Sequence, residues 1–571
     1  MGDDLKVANV PEKADEGVGK QKEPFQEEPG EGDDSLFDQL MEAIGNGGRF
    51  QKRFNFLYNF LLVILLTMPY LNIILVMTIP DHWCHIPGLE TTNYTLDEWK
   101  DKWLPKENNS GKMKYSSCKM FVENVTDETP VGELAAASRH NDNCMYGWDF
   151  DRQWYSETVP TQESWVCNKE IYVSNTFAAG RIGEIIGTFL FGQLGDMYGR
   201  KPVFYISIAV LVIGRTLSVF TSAYYYVFLF SIALGSLAST SVFQSPLVIS
   251  MEVSDEKTRS YIAFLQCAGW VFGLCILAFV AWVVRDWKLI MLVTTLPNII
   301  CFCLYKLLPE SPRWLASRGE MEKAVDVLKY IARVNGSKLP KNTYSVMEKI
   351  RDKKEKFYGL ASLFANWRLG KNTVLMVIAW SVSGLCYYVI TLSVTTMSGN
   401  PFMNFFWQSL VELPGYVLGK VMSDKIGRRW THAISYAFGS FFCLAAVVAQ
   451  TIGADHLILI LITLVKLTLT TSFYVVWLRT IEIYPTCVRQ TGTSIGGTVS
   501  NIIGITGPYI IYLGATIDVR LPNAVLLIMI LIGFSCSVFL PETLNKKLPE
   551  TLEDAKAFGK NQKFWSFSLS K

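Results

Sequence analysis

Gly192-Gln193-Leu194-Gly195-Asp196-Met197-Tyr198-Gly199-Arg200-Lys201 closes one apolar run, and its Asp-x-x-Gly-Arg-basic core returns 228 residues later in Ser423-Asp424-Lys425-Ile426-Gly427-Arg428-Arg429. Two further motifs repeat in the same order. Glu252 stands seven residues before Arg259, as Glu482 stands seven before Arg489; Pro309-Glu310-Ser311-Pro312-Arg313 is matched by Pro541-Glu542-Thr543. Three motifs in register make the chain two homologous halves. An Asp at a helix end, a Gly for the turn and two cations can pair across helices on one face, in pairs that hold one conformation and break in another. The simpler role of such cations is to set membrane topology. The candidate gating residues are Asp196, Arg200, Lys201, Glu252, Arg259, Glu310, Arg313, Asp424, Arg428, Arg429, Glu482 and Arg489.

Outward from these motifs the chain is a succession of apolar runs. Of 571 residues, 50% are hydrophobic and 18% charged, against about 25% charged in soluble chains. About 20 apolar residues cross a bilayer as a helix. Twelve runs qualify: 54–79, 171–194, 203–222, 224–250, 260–284, 288–308, 372–393, 403–421, 431–452, 456–479, 491–513 and 522–540. The expected fold class is an all-α integral membrane protein, with twelve transmembrane helices in two six-helix repeats. Its parts are a cytoplasmic tail (1–53), an N-terminal bundle (54–308), a cytoplasmic loop (309–371), a C-terminal bundle (372–541) and a second tail (542–571). A net charge of +2 gives no field for nucleic acid.

The loops orient the bundle. The first 50 residues lack the apolar segment of a cleavable signal peptide, and Arg49, Lys52 and Arg53 precede the first span, which places both termini in the cytoplasm. The insertion 81–170 holds nine Lys/Arg and sixteen Asp/Glu; the insertion 309–371 holds fourteen and seven. Cys84, Cys118, Cys144 and Cys167 fall in the first insertion, with sequons at Asn93, Asn108 and Asn124. That combination marks an extracellular, glycosylated domain with two disulfides in one of three connectivities. Asn335 is a fourth sequon, silent on the cytoplasmic side. Ala324, Val325, Leu328 and Ile331 at helical spacing predict an amphipathic helix under the bundle.

The ordered motifs resemble the major facilitator superfamily, specifically its organic cation, carnitine and organic anion transporter branch. The resemblance covers about 48–556. It rests on the repeated motifs and on Gly48-Arg49-Phe50-Gln51-Lys52-Arg53, Pro80-Asp81-His82-Trp83-Cys84, Cys144-x-x-Gly147-Trp148 with Asp151, and Pro309-Glu310-Ser311-Pro312-Arg313-Trp314-Leu315. It continues through Gly399-Asn400-Pro401, Val411-Glu412-Leu413-Pro414 and Glu482-Ile483-Tyr484-Pro485-Thr486-x-x-Arg489-Gln490-Thr491-Gly492. The chain departs from the branch in having four loop cysteines where many relatives have six, and in a long N-terminal tail. The resemblance implies rocking of two bundles about a central site without ATP. Gly415-x-x-x-Gly419-Lys420 is one residue short of a phosphate loop and lies in a span.

Ionisable residues inside spans are functional candidates. They are Arg181, Glu184, Arg215, Glu412 and Lys466, and all but Arg215 count to mid-depth, where such carriers bind substrate. Glu412 matches the branch's Glu-x-Pro motif and suits an ammonium; its alternative is a structural partner for Lys466. Trp380, Tyr387 and Tyr388 match cavity aromatics, whose faces attract ammonium groups. Gln266 and Gln244 offer hydrogen bonds. Asn501 stands where cation-preferring relatives tend to have Asp and anion-preferring ones Arg. Arg181 and Glu184 share a helical face; they either neutralise each other or offer both signs to a zwitterion.

The leading expectation is a plasma-membrane carrier of a small organic cation or zwitterion, such as an amine, a carnitine-like betaine or a β-amino acid. An organic anion carrier and a non-transporting receptor on the same fold are the alternatives. No enzyme motif, cofactor, metal or nucleotide site is expected, and sodium or proton coupling through carboxylates stays open.

Overall fold

The structure, a computed structural model, describes residues 33–45, 47–87, 94–109, 112–122, 140–254, 256–352, 359–485, 488–546, 549, 552–560 and 562. Among these, nine helices are long and apolar enough to cross a membrane: Arg49–Val76, Arg200–Thr221, Tyr225–Glu252, Tyr261–Val284, Trp287–Leu304, Trp367–Thr396, Arg428–Ile452, Asp455–Ile483 and Leu521–Phe539. Three further helical stretches occupy the second, eighth and eleventh of the expected spans. They are Ile171–Tyr198, Pro401–Leu410 continued by Glu412–Ile426, and Arg489–Gly504 continued by Gly507–Thr516. Their sequences are more polar. The first carries Arg181, Glu184 and Asp196, the second Glu412 and Asp424, and the third is broken just before Pro508.

The repeated glycines explain how each motif turns the chain. Gly199 and Gly427 have φ of 103° and 92°, a left-handed conformation that costs glycine little. Each separates a helix from the next and exposes that next helix's first N–H groups. Glu310 accepts from the N–H of Arg200 and Lys201 at 3.1 and 3.0 Å. Glu542 accepts from Arg428 and Arg429 at 2.9 and 3.0 Å. A carboxylate here satisfies orphan donors and complements the helix dipole.

Close helix contacts also repeat. A Cβ at Gly187 would overlap the Leu237 carbonyl oxygen, while one at Gly415 would lie 3.2 Å from the Leu467 carbonyl oxygen. Small residues let helix backbones approach in this way. Gly187→Ala is therefore expected to destabilise by about 1–3 kcal/mol or more, because backbone cannot step aside. Gly192→Ala, whose Cβ meets nothing within 4 Å, is expected to be neutral. Melting temperatures of the two purified variants check this.

The described residues between 81 and 170 include antiparallel strand pairs, His82–Cys84 with Trp148–Phe150, Lys106–Asn109 with Lys112–Tyr115, and Lys119–Val122 with His140–Asn143, in a small domain. Cys84, Ile86, Trp99, Leu104 and Met120 make its core. Disulfides join Cys84 to Cys144 and Cys118 to Cys167, which resolves the connectivity. Asn93 and Asn124 lie outside the described residues, and Asn108 lies in the strand Lys106–Asn109.

At the opposite end, the helix Met321–Asn335 buries Ala324, Val325, Leu328 and Ile331. Part of the polar N-terminal segment proves to be structured. Asp33–Gly45 is a helix whose Phe37, Leu40, Met41 and Ile44 are buried in the same core. Its apolar residues sit at helical spacing among acidic ones, so average composition hides them. Asn335 ties the pieces together. Its amide donates to the Gly45 carbonyl at 2.9 Å and to Gln51 Oε1 at 3.1 Å, and its oxygen accepts from the Phe50 N–H at 2.9 Å.

The two halves meet toward the end that carries the disulfide domain. Ser174 Oγ donates to the Pro508 carbonyl at 3.2 Å, Tyr509 donates to Asn175 Oδ1 at 2.9 Å, and the Tyr155 and Phe402 rings lie 4.8 Å apart.

Candidate functional site

Two carboxylate–cation centres lie inside the bundle. In the N-terminal half Arg181 pairs with Glu184 at 2.8 Å, one helical turn apart. Glu184 Oε1 also accepts from the hydroxyls of Tyr70 at 3.0 Å and Thr240 at 3.3 Å. In the C-terminal half Lys466 pairs with Glu412 at 3.1 Å, with side chains 2% and 1% exposed. Glu412 accepts from the Tyr387 hydroxyl at 2.8 Å, and Lys466 donates to Thr391 at 2.6 Å and sits 3.5 Å from the centre of the Tyr387 ring. The second Glu412 oxygen has no partner among the described residues. Buried charges are tolerated when paired and hydrogen-bonded, and each centre supplies that for itself.

The centres are related by the internal repeat. The 228-residue spacing that links Asp196 to Asp424 also links Glu184 to Glu412, and in each half a tyrosine of the first helix donates to that carboxylate. The motif spacing already contains this relation, although reading the spans one by one misses it. Tyr70 and Thr240 escape a search for charged residues because they are ordinary polar groups until folding aims them.

Aromatic side chains connect the centres across the two halves. Arg181 lies 3.7 Å from the centre of the Tyr388 ring. The Tyr70 ring packs on Trp270 with centroids 5.4 Å apart, and the Trp270 side chain faces the Tyr387 hydroxyl. So Arg181, Glu184, Tyr387, Tyr388, Glu412 and Lys466 gather at one level. The other expected residues are engaged differently. Trp380 donates to Thr480 at 2.8 Å, two turns from Tyr387, although both pack on Phe473. Gln266 donates to the Phe243 carbonyl at 3.1 Å. Asn501 is half-buried beside Ser500, whose hydroxyl donates to the Trp380 carbonyl at 3.0 Å.

The gating candidates form two like clusters, one per half. Arg200 contacts Asp196 at 3.2 Å and Glu252 at 4.0 Å, and Ser311 bonds Glu252. Arg428 contacts Asp424 at 3.6 Å and Glu482 at 3.1 Å, and Thr543 bonds Glu482. Lys201 sits 4.1 Å from the Tyr305 ring centre, and Arg429 Nε donates to the Val538 carbonyl at 2.9 Å. Arg313 stacks 4.4 Å from the Phe37 ring centre, and Arg489 donates to the Tyr484 carbonyl at 3.4 Å. The Arg259 side chain lies outside the described residues. The ion pairs described at this end stay within a half, while the Ser174–Pro508, Asn175–Tyr509 and Tyr155–Phe402 contacts between halves lie toward the other end.

Known proteins are similar to this chain in sequence and fold. A family profile described as "Sugar (and other) transporter" matches residues 138–554. The chain is 29% identical to the carcinine transporter of Drosophila melanogaster, over 92% of this chain and 80% of that one. It is 26% identical to the human organic cation/carnitine transporter 2, over 90% and 93%. It is 28% identical to the β-alanine transporter of Drosophila melanogaster, over 91% and 89%. Among solved structures, the inward-open conformation of the E. coli xylose transporter shares the fold with a TM-score of 0.53 at 18% identity, over 71% of this chain and 91% of that one.

Proposed function

Because the chain belongs to the sugar (and other) transporter family, within the major facilitator superfamily and related to organic cation and carnitine transporters, we propose that it carries a small zwitterion across the plasma membrane by alternating access. The observation behind this reading is the pair of repeat-related centres, Arg181–Glu184 and Glu412–Lys466, linked by aromatic rings where the halves meet. The names of the relatives point the same way: β-alanine carries an amine and a carboxylate, and carnitine carries a quaternary ammonium and a carboxylate.

In this proposal the three polar helices complete a set of twelve spans. Both termini are cytoplasmic, the disulfide domain is outside, and the helices that contain Asn335 and Phe37 lie beneath the bundle. An empty carrier holds each ion pair closed on itself. The substrate ammonium takes the free Glu412 oxygen and competes with Lys466, while the substrate carboxylate competes with Glu184 for Arg181. Exchange of one ion pair for another keeps every charge compensated in a medium where an uncompensated charge is expensive. Reorganisation at the two centres then changes how the halves meet at Tyr388 and at Asn175–Tyr509. The Asp196–Arg200 and Asp424–Arg428 clusters stabilise each half's cytoplasmic end in the conformation described.

Uptake of labelled β-amino acids, betaines, simple amines and simple carboxylates by cells expressing the chain, with and without sodium or proton gradients, tests the reading. β-Amino acids or betaines are expected to dominate. Dominance of simple carboxylates would overturn it. For the gate, Asp196→Asn is expected to lower uptake about tenfold while substrate binding to purified protein persists; equal loss of both would remove Asp196 from gating.

A further inference from the structure

Arg215 lies in the helix Arg200–Thr221, is 2% exposed, and is not part of either centre. Its Nη2 donates to Ser236 Oγ at 3.3 Å, while its Nε and Nη1 have no partner among the described residues. It borders a cavity of about 40 Å³, whose charged lining consists of Arg181, Glu184 and Arg215. Among the described residues no carboxylate forms an ion pair with Arg215, and Glu184 pairs with Arg181 instead. One oxygen already accepts from Tyr70 and Thr240, and the other from Arg181. The cluster therefore carries one positive charge with no matching carboxylate, deep in a span. A buried unpaired cation costs several kcal/mol, and water in the cavity would solvate it without neutralising it.

We propose that this cavity is a binding site for one small monovalent anion, held by the free Nε and Nη1 of Arg215 and by the Ser236 hydroxyl. The anion restores neutrality to the Arg181–Glu184–Arg215 cluster. Pockets for whole organic ligands run to about 300–1,000 Å³, so the space suits a halide or a single carboxylate group and excludes a complete metabolite. Tyr388, from the other half, forms one wall, so relative motion of the halves opens and closes the site. Anion occupancy is thereby coupled to the transport conformation. This goes beyond the reading of the two centres, which concerns the ends of the transported solute.

The test uses the full chain purified in detergent, melted in sodium gluconate and in chloride, bromide or formate at fixed ionic strength. Wild type is expected to melt higher in at least one small anion than in gluconate, because a ligand that binds only the folded state stabilises it. Arg215→Gln is expected to lose that rise, and Arg215→Lys to keep part of it. A response to chloride and bromide identifies dissolved halide as the occupant. A response to formate alone identifies a carboxylate, with the substrate as its source. Bromide-derivatised wild type gives an independent readout if the glutamine variant does not fold, with anomalous density expected beside Arg215 when halide is the occupant. Equal melting of wild type in all four salts, or a rise that survives unchanged in both variants, overturns the proposal. Neither result depends on uptake, so the site stands or falls separately from the zwitterion reading.

Discussion

Glu412→Gln is expected to abolish uptake and to lower the melting temperature of the protein, while Glu412→Gln combined with Lys466→Met restores the melting temperature and leaves uptake absent. Lys466 and Glu412 are both almost fully buried and 3.1 Å apart. Removing one member of such a pair leaves a bare charge in the membrane interior, at a cost of about 3–5 kcal/mol, whereas replacing both by neutral groups is often close to neutral. The single variant thus reports structure and function together, and the double variant separates them. Uptake by the double variant at the wild-type rate would make the pair a structural tie and remove Glu412 from the substrate site. Tyr387→Phe offers a milder comparison. It deletes the donor to Glu412 at 2.8 Å and is expected to cost about 1–3 kcal/mol through the group left unsatisfied.

Arg181→Gln and Glu184→Gln are each expected to abolish zwitterion uptake with normal surface expression of the arginine variant. Each removes one of the two signs the substrate needs at this centre, and both side chains are partly accessible, at 16% and 12%. Their effects on folding should differ. Arg181→Gln leaves Glu184 with Arg215 nearby, a neutral cluster. Glu184→Gln leaves two arginines with no carboxylate and is expected to lower the amount of mature protein as well. Surface biotinylation alongside uptake distinguishes the two. Unchanged transport in both variants would reduce the pair to mutual neutralisation.

Much of the architecture is local and was legible without coordinates. Apolar run lengths, the three repeated motifs, the four loop cysteines with their sequons and the helical spacing of Ala324, Val325, Leu328 and Ile331 are all properties of neighbouring residues. Even the intramembrane candidates declare themselves by chemistry alone, because Arg181, Glu184, Arg215, Glu412 and Lys466 contrast with apolar surroundings. The helix Asp33–Gly45 escaped because acidic residues dominate the average of its segment, although the apolar spacing of Phe37, Leu40, Met41 and Ile44 was present to be read.

The tertiary structure decided which partners those residues take. Successive helix positions point about 100° apart, so a small rotation of one helix determines whether a charge meets its mate or a neighbouring face. That rotation follows from packing between segments far apart in sequence. It is set here by close contacts such as Gly187 on Leu237 and Gly415 on Leu467. It directs Trp380 to Thr480, turns the adjacent Tyr387 and Tyr388 toward different centres, and leaves Arg215 without an ion pair among the described residues. The sequence by itself established a duplicated membrane bundle with a few buried charges. Only folding decided which hydroxyls and cations those carboxylates meet, and that two nitrogens of Arg215 are left without a partner among the described residues beside a small cavity.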